Sequence, residues 1–405
     1  MSRLLTLLVL AFACLAPFAP AQGQDDYATL NQQAIDQLKA GKLDEGAATL
    51  QRILKIPGKE KDSGTAYNLA CAYSLKADLD KGFEWLDRAV DWGWGEGSGQ
   101  LVDAKQQQTH AEMTRTDPDL ANLRKDPRFE KLMERMAKAA EAREARRKKA
   151  EEYAAAPAVY LPEKVKGLAE MPLLVVLHDA GSTKDAVVAG SWKAIADELG
   201  FALVAPSGKV LVGDEPAKGM TWFEDVTAYK ARYWSFEKPV TDAIAAFKKD
   251  HQIDKNRVVI AGEGMGALVA LNTAIGNPGS IKGVVAWNGA IEPELMASKA
   301  PTAGKMGLRA KILLEPAAFS KRLKGAGKTD EDGAKLVESW TKALQTWGIA
   351  GDVKVCAADS ADPAQMKKLV VEAAQAVLVR EAPAPEAKPP TEGKTEPKKD
   401  AVTPK

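Results

Sequence analysis

A chain of 405 residues with 45% apolar side chains can build two or three cores. Its 56 lysines and arginines are matched by 55 aspartates and glutamates, and a net charge of +1 provides no field to attract nucleic acid or an anionic membrane. Three cysteines and three dispersed histidines make neither a disulfide framework nor a structural zinc site, so no metal and no cofactor is expected.

Residues 1–21 read as a signal peptide. Arg3 supplies a basic start, Leu4 to Ala16 is almost wholly apolar, and Ala19-Pro20-Ala21 gives small residues around a cleavage point. Pro17 and Pro20 interrupt the run before it reaches spanning length. A lipid-modified Cys14 is disfavoured, because more apolar sequence follows it in place of a polar tether. The expected mature chain begins near Gln22 and is exported, periplasmic or secreted, without an integral membrane segment.

Residues 22–130 carry a repeat. At an offset of 36 residues Ala34 matches Ala70, Gly41 matches Ala77, Leu43 Leu79, Asp44 Asp80, Gly46 Gly82 and Leu50 Leu86. Small residues recur where two helices approach closely and large ones where they interlock. The pattern resembles tetratricopeptide repeats, with Pro57 closing the first unit, and the resemblance implies a protein partner on the repeat surface. Trp85 reads as core at helical spacing, Trp92 and Trp94 as covers for the end of the array. Asp117-Pro118 and Asp126-Pro127 are set to start short helices with proline in the first turn. Residues 131–156 then form a charged linker. Leu132 to Tyr153 is rich in Ala, Glu, Lys and Arg and predicts a solvated connector helix, and glutamates interrupt its basic cluster at Arg143 to Lys149.

Residues 157–380 change to alternating strands and helices. Pro172 to His178, Phe201 to Pro206, Arg257 to Ala261, Ile281 to Asn288, Ala310 to Leu314 and Val353 to Cys356 are apolar enough to be buried strands; Ser191 to Leu199 and Val240 to Asp250 read as helices. Strands of this kind predict an α/β fold with a mostly parallel sheet covered by helices on both faces, behind an all-α repeat region.

The chemistry concentrates at Gly262-Glu263-Gly264-Met265-Gly266, between the strand ending at Ala261 and the helix expected from Ala267. Strand, glycine turn and helix is the setting of a nucleophile elbow, G-x-S-x-G, with glycine in the serine position. With Leu173 to Gly181, Trp192 to Phe201 and Ile253 to Val258, the segment resembles the α/β-hydrolase superfamily, especially esterases of the polyhydroxyalkanoate-depolymerase and feruloyl-esterase type.

That resemblance implies a nucleophile at Gly264, an acid at Glu315 and a histidine after the last strand. The stretch Ala357 to Asp362 contains no histidine. The candidate pocket comprises His178, Asp179, Ala180, Gly181, Glu263, Gly264 and Met265, with the amides of Ala180 and Met265 open to an oxyanion or carbonyl and the charge of Asp179 opposing one. The expectation is an exported binding or scaffold protein on a catalytically degenerate esterase-like domain, taking a small ester- or acid-like ligand.

The alternative is a carboxylic-ester hydrolase with a displaced nucleophile, such as Ser182, Ser191 or Ser360. A dinucleotide reading of Gly262, Gly264 and Ala267 fails on context, since the next strand ends in Trp287-Asn288 and not in an acid. Residues 381–405 are rich in Pro, Lys and Glu and predict an extended disordered tail.

Overall fold

The computed structural model describes residues 27–56, 59–95, 109–224, 229–230, 233–325, 327–357 and 362–378. The expectations for the signal segment, Pro57, Ser360 and the tail lie outside these residues.

Two helical hairpins open the described chain. Helices α1 (Tyr27–Lys39) and α2 (Leu43–Ile53) are followed by α3 (Ser63–Leu75) and α4 (Leu79–Asp91), so that Ser63 and Leu79 start 36 residues after Tyr27 and Leu43. The paired small residues are the reason. A Cβ on Gly46 would lie 2.6 Å from Leu38, and one on Gly82 would lie 2.8 Å from Leu123. Both inter-helix turns need a left-handed residue, supplied by Gly41 (φ 74) and by Ala77 (φ 58). Trp94 closes the end of the array: it is buried, stacks on Tyr67 at 4.1 Å and donates to Thr114 Oγ1 at 3.0 Å. Trp85 and Trp92 meet edge to face at 6.3 Å and are half-buried.

A capping box at Thr109 and Glu112 starts α5 (His110–Thr116). Asp117 accepts from Asp119 N at 2.9 Å and opens the 3₁₀ turn Pro118–Leu120, as the sequence predicts. The second Asp-Pro pair differs from expectation. Asp126 Oδ1 accepts from Arg128 N at 2.9 Å where the 27-residue α6 (Arg128–Ala154) begins; the middle of this helix, residues 137–149, is unburied like the expected connector, but its two ends enter the two cores. At its start Phe129, Leu132, Met133 and Met136 are buried in the array; at its end Ala150 packs with Leu211 and Met220 of the second body. The charged composition hid this, because two buried patches a helix length apart leave a polar average between them.

The second body has strands β1 (Ala158–Tyr160), β2 (Met171–Leu177), β3 (Ala202–Ala205), β4 (Val210–Leu211), β5 (Met220–Thr221), β6 (Ile253–Glu263), β7 (Gly283–Trp287), β8 (Arg309–Leu314) and β9 (Ala350–Val355). Between them lie α7 (Lys184–Ala189), α8 (Ser191–Leu199), α9 (Lys238–Asp250), α10 (Met265–Gly276), α11 (Pro293–Met296), α12 (Ala300–Lys305), α13 (Pro316–Gly325) and α14 (Asp330–Thr346), and α15 (Pro363–Ala376) follows. Seven strands pair in the order β1-β3-β2-β6-β7-β8-β9, all parallel except β1, and β4–β5 form a separate hairpin.

Alternation along β2 divides the cores. Leu173, Val175 and Leu177 face α9, α10 and α14, while Leu174 and Val176 face α7, α8 and α15. The structure is therefore the expected doubly covered α/β-hydrolase sheet behind a helical region. No helix among the described residues is long and apolar enough to cross a membrane.

Candidate functional site

The central strand β6 pairs with β2 on one side and β7 on the other, and it delivers Gly264 to the carboxyl edge of the sheet. Gly264 has φ 53 and ψ −113, a conformation that strains any side chain, and its amide donates to Trp287 O at 2.9 Å. The flanking glycines allow the strand, turn and helix to close. A Cβ on Gly262 would lie 2.4 Å from Gly266 O, and one on Gly266 2.4 Å from His178 O. The elbow geometry survives in full without a hydroxyl at its apex.

Asp179 fills the space. Its Oδ1 accepts from the amides of Ala180 at 2.7 Å and Met265 at 2.8 Å, the two donors expected to be open to an external oxyanion. A Cβ on Gly264 would lie 2.2 Å from Asp179 Oδ1. The sequence reading, in which this charge merely repels an incoming anion, is thus corrected: the protein's own carboxylate is the anion in the cradle. The Met265 amide at the start of α10 is likewise unavailable to a pyrophosphate. Burial pushes the Asp179 carboxyl above its ordinary range, opposed by the two amides and by the nearby Arg322 guanidinium.

His178 is a wall, not a base. It is 1% exposed, its Nδ1 lies 2.8 Å from Asp179 O, its Nε2 accepts from Gly208 N at 3.1 Å, and its ring stacks on Trp222 at 5.1 Å. Both ring nitrogens are bonded to the main chain, the tautomer is fixed with the proton on Nδ1, and burial lowers its pKa to about 4. The other histidines pack elsewhere, His110 on Trp94 and His251 on Phe247.

Beside Asp179 a hollow of about 380 Å³ opens at the carboxyl ends of the strands. Of the expected pocket residues His178, Asp179 and Glu263 line it, whereas Ala180, Gly181, Gly264 and Met265 lie behind Asp179 or in its loop. Sequence reasoning missed the Trp192 and Trp287 walls and the contributions of Asn288 and Pro363. Glu315, expected as the acid, also faces the hollow, but its two oxygens accept from Ala317 N (2.9 Å) and Ala318 N (2.6 Å) and so cap α13. Ser182 and Ser191 line the hollow as well, with no imidazole bonded to either among the described residues.

Glu263 differs from the other two acids. It accepts no hydrogen bond from any described residue, and burial, reinforced by the charge of Asp179, pushes its pKa to about 6. A raised folded pKa penalises the native state above pH 6, and the penalty vanishes below the ordinary value of 4.5. Glu263→Gln is expected to raise stability by about 1–2 kcal/mol at pH 8 and by nothing at pH 4.5, measured by urea unfolding at both values.

One further acidic group lies in the helical region, where Cys71, Asp117 and Asp119 bring ligand-type atoms within 4.8 Å of one another. Asp117 Oδ2 accepts from Tyr67 OH at 2.7 Å and lies 3.8 Å from the buried Cys71 thiol.

Residues 164–308 match the Phospholipase/Carboxylesterase family, which places this segment among the α/β-hydrolases. A 138-residue stretch, 34% of the chain, is 29% identical to poly(3-hydroxyalkanoate) depolymerase C of Paucimonas lemoignei, and the chain spans 28% of that protein's length. Among solved structures, esterase PE8 is similar at 18% identity, with 54% of this chain and 98% of that one covered (TM-score 0.40). A carboxylesterase from Mesorhizobium loti is similar at 16% identity over 53% and 93% (TM-score 0.37).

Proposed function

We propose that the hydrolase-fold domain is a non-catalytic binding module, carried with a helical-repeat region that receives a protein partner, in a protein exported by the leader at residues 1–21. The observation that carries this reading is Asp179. Its carboxylate holds the two amides that would stabilise an acyl-transfer oxyanion and occupies the volume a nucleophile's Cβ needs. Gly264 offers no nucleophile, and the one histidine beside the hollow has both nitrogens engaged by backbone. Removing a nucleophile and its base leaves only the residual acceleration of the oxyanion donors, and here those donors are filled.

The expected result is no labelling by a fluorophosphonate probe and no turnover of short-chain p-nitrophenyl esters above a heat-killed control. A covalent phosphonyl or acyl adduct on the full chain overturns the reading in favour of an ester hydrolase with a displaced serine, and mass mapping would identify Ser182, Ser191 or Ser360.

A further inference from the structure

We propose that the 380 Å³ hollow binds an organic monocation, an amine or guanidine, whose charged head pairs with Glu263 between Trp192 and Trp287. This rests on the reading of the hollow as a binding site and gives its ligand a chemical class. The first ground is the balance of partners inside it. Three carboxylates line the hollow, and no described lining residue is a lysine or arginine. Two of the three take hydrogen bonds from within: Asp179 accepts two amides on Oδ1, and Glu315 accepts one amide on each oxygen.

Glu263 alone faces the hollow with neither oxygen hydrogen-bonded to a described residue. Arg322, the basic side chain whose charge reaches these acids, donates instead to Asn288 O and forms no ion pair with any of them among the described residues. Glu263 is therefore the carboxylate of the hollow with both oxygens open to a positively charged ligand.

The second ground is what else could enter. The paired donors suited to an anion, the Ala180 and Met265 amides, hold Asp179, and the remaining donors of the lining, the hydroxyls of Ser182 and Ser191 and the amide of Asn288, are neutral and face three carboxylates that oppose an anion. A divalent ion needs several carboxylate oxygens that converge, and the three carboxylates of the hollow do not gather as a set within the 4.8 Å that unites Cys71, Asp117 and Asp119 elsewhere. An organic cation needs one acid, apolar walls and room. Trp192, Trp287, Val187 and Met366 supply the apolar part of the lining, and the volume suits a small organic molecule. Keeping an unpaired, largely buried carboxylate costs the native state stability, and such a cost is typical of a group retained for a ligand.

The test is calorimetric titration of the full chain at pH 7.5 with n-butylammonium, agmatine and tetramethylammonium chlorides, against sodium butyrate and ethyl butyrate. At least one cation should saturate and neither butyrate should. Glu263→Gln, which the pH argument expects to be more stable than the parent, should weaken binding at least about tenfold. Ala186→Trp, on the exposed rim of the hollow, should weaken it while leaving Glu263 in place. Below pH 6 affinity should fall about tenfold per unit as Glu263 takes up a proton.

No saturation by any cation, equal binding by Glu263→Gln, or comparable binding of butyrate or ethyl butyrate overturns the proposal. A failed titration with no fluorophosphonate labelling removes only the cation, whereas labelling removes the non-catalytic reading itself.

Discussion

Gly264→Ala should destabilise the protein by about 3 kcal/mol or more, and in an Asp179→Gly background the same substitution should cost about 1–3 kcal/mol less. Two effects add in the single variant: a side chain held at φ 53, about 1–3 kcal/mol, and overpacking against a carboxylate that cannot yield, about the same again. The added Cβ would meet Asp179 Oδ1 at 2.2 Å, and that oxygen is pinned by two amides.

Asp179→Gly by itself leaves those amides without their acceptor, at about 1–3 kcal/mol, softened by water from the adjoining hollow. In the double variant the clash is gone. Its loss should therefore be smaller than the sum of the singles by about 1–3 kcal/mol in urea unfolding, a coupling expected only of groups in contact. Additive losses would mean that the carboxylate does not occupy the serine's place. Gly264→Ser in either background should still form no acyl adduct, since no free imidazole stands by to take its proton.

His178→Phe should cost about 2–3 kcal/mol at pH 7.5 and almost nothing at pH 4. At neutral pH the replacement strands the buried Gly208 amide, which donates to His178 Nε2 in the native protein. The pH dependence follows from linkage. The folded pKa is depressed from 6.5 to about 4, so between these values the unfolded chain binds a proton that the native state refuses. The parent thus keeps the full contribution of this histidine above pH 6.5 and loses about 3 kcal/mol of it on the way down to pH 4.

The variant has no such slope, and the two unfolding curves should converge with acid. Glu263 titrates in the opposite sense over part of this range, so the comparison must be variant against parent at each pH, not the parent's curve alone. A parent–variant gap that stays constant from pH 7.5 to 4 would show that the ring is not buried in its neutral form.

Much of the architecture is legible in the chain because it is written in local periodicity. The 36-residue offset of small and large residues is the spacing of α1–α2 to α3–α4, since each helix must repeat its own contact positions. Continuous apolar runs such as Pro172 to Leu177 can only be buried on both faces, and β2 duly divides its side chains between two cores. Even the elbow at Gly264 is readable, because three glycines in five residues answer a local demand for close approach.

What the sequence could not decide concerns partners far apart along the chain. The amide of Met265 lies 86 residues from Asp179, and only the parallel register that sets Leu177 opposite Gly262 brings carboxylate and amide together. For the same reason Glu263 and Glu315 look alike as isolated acids. The turn into α13 satisfies Glu315, while the end of β6 leaves Glu263 without a hydrogen-bond donor among the described residues. Helix α6 shows the limit from the other side, its averaged polarity concealing two cores that it touches at opposite ends. Composition and spacing fix which segments must be buried, because burial is a property of a segment's own pattern. The identity of a polar group's partner, and with it the charge left over in the hollow, exists only once the sheet has closed.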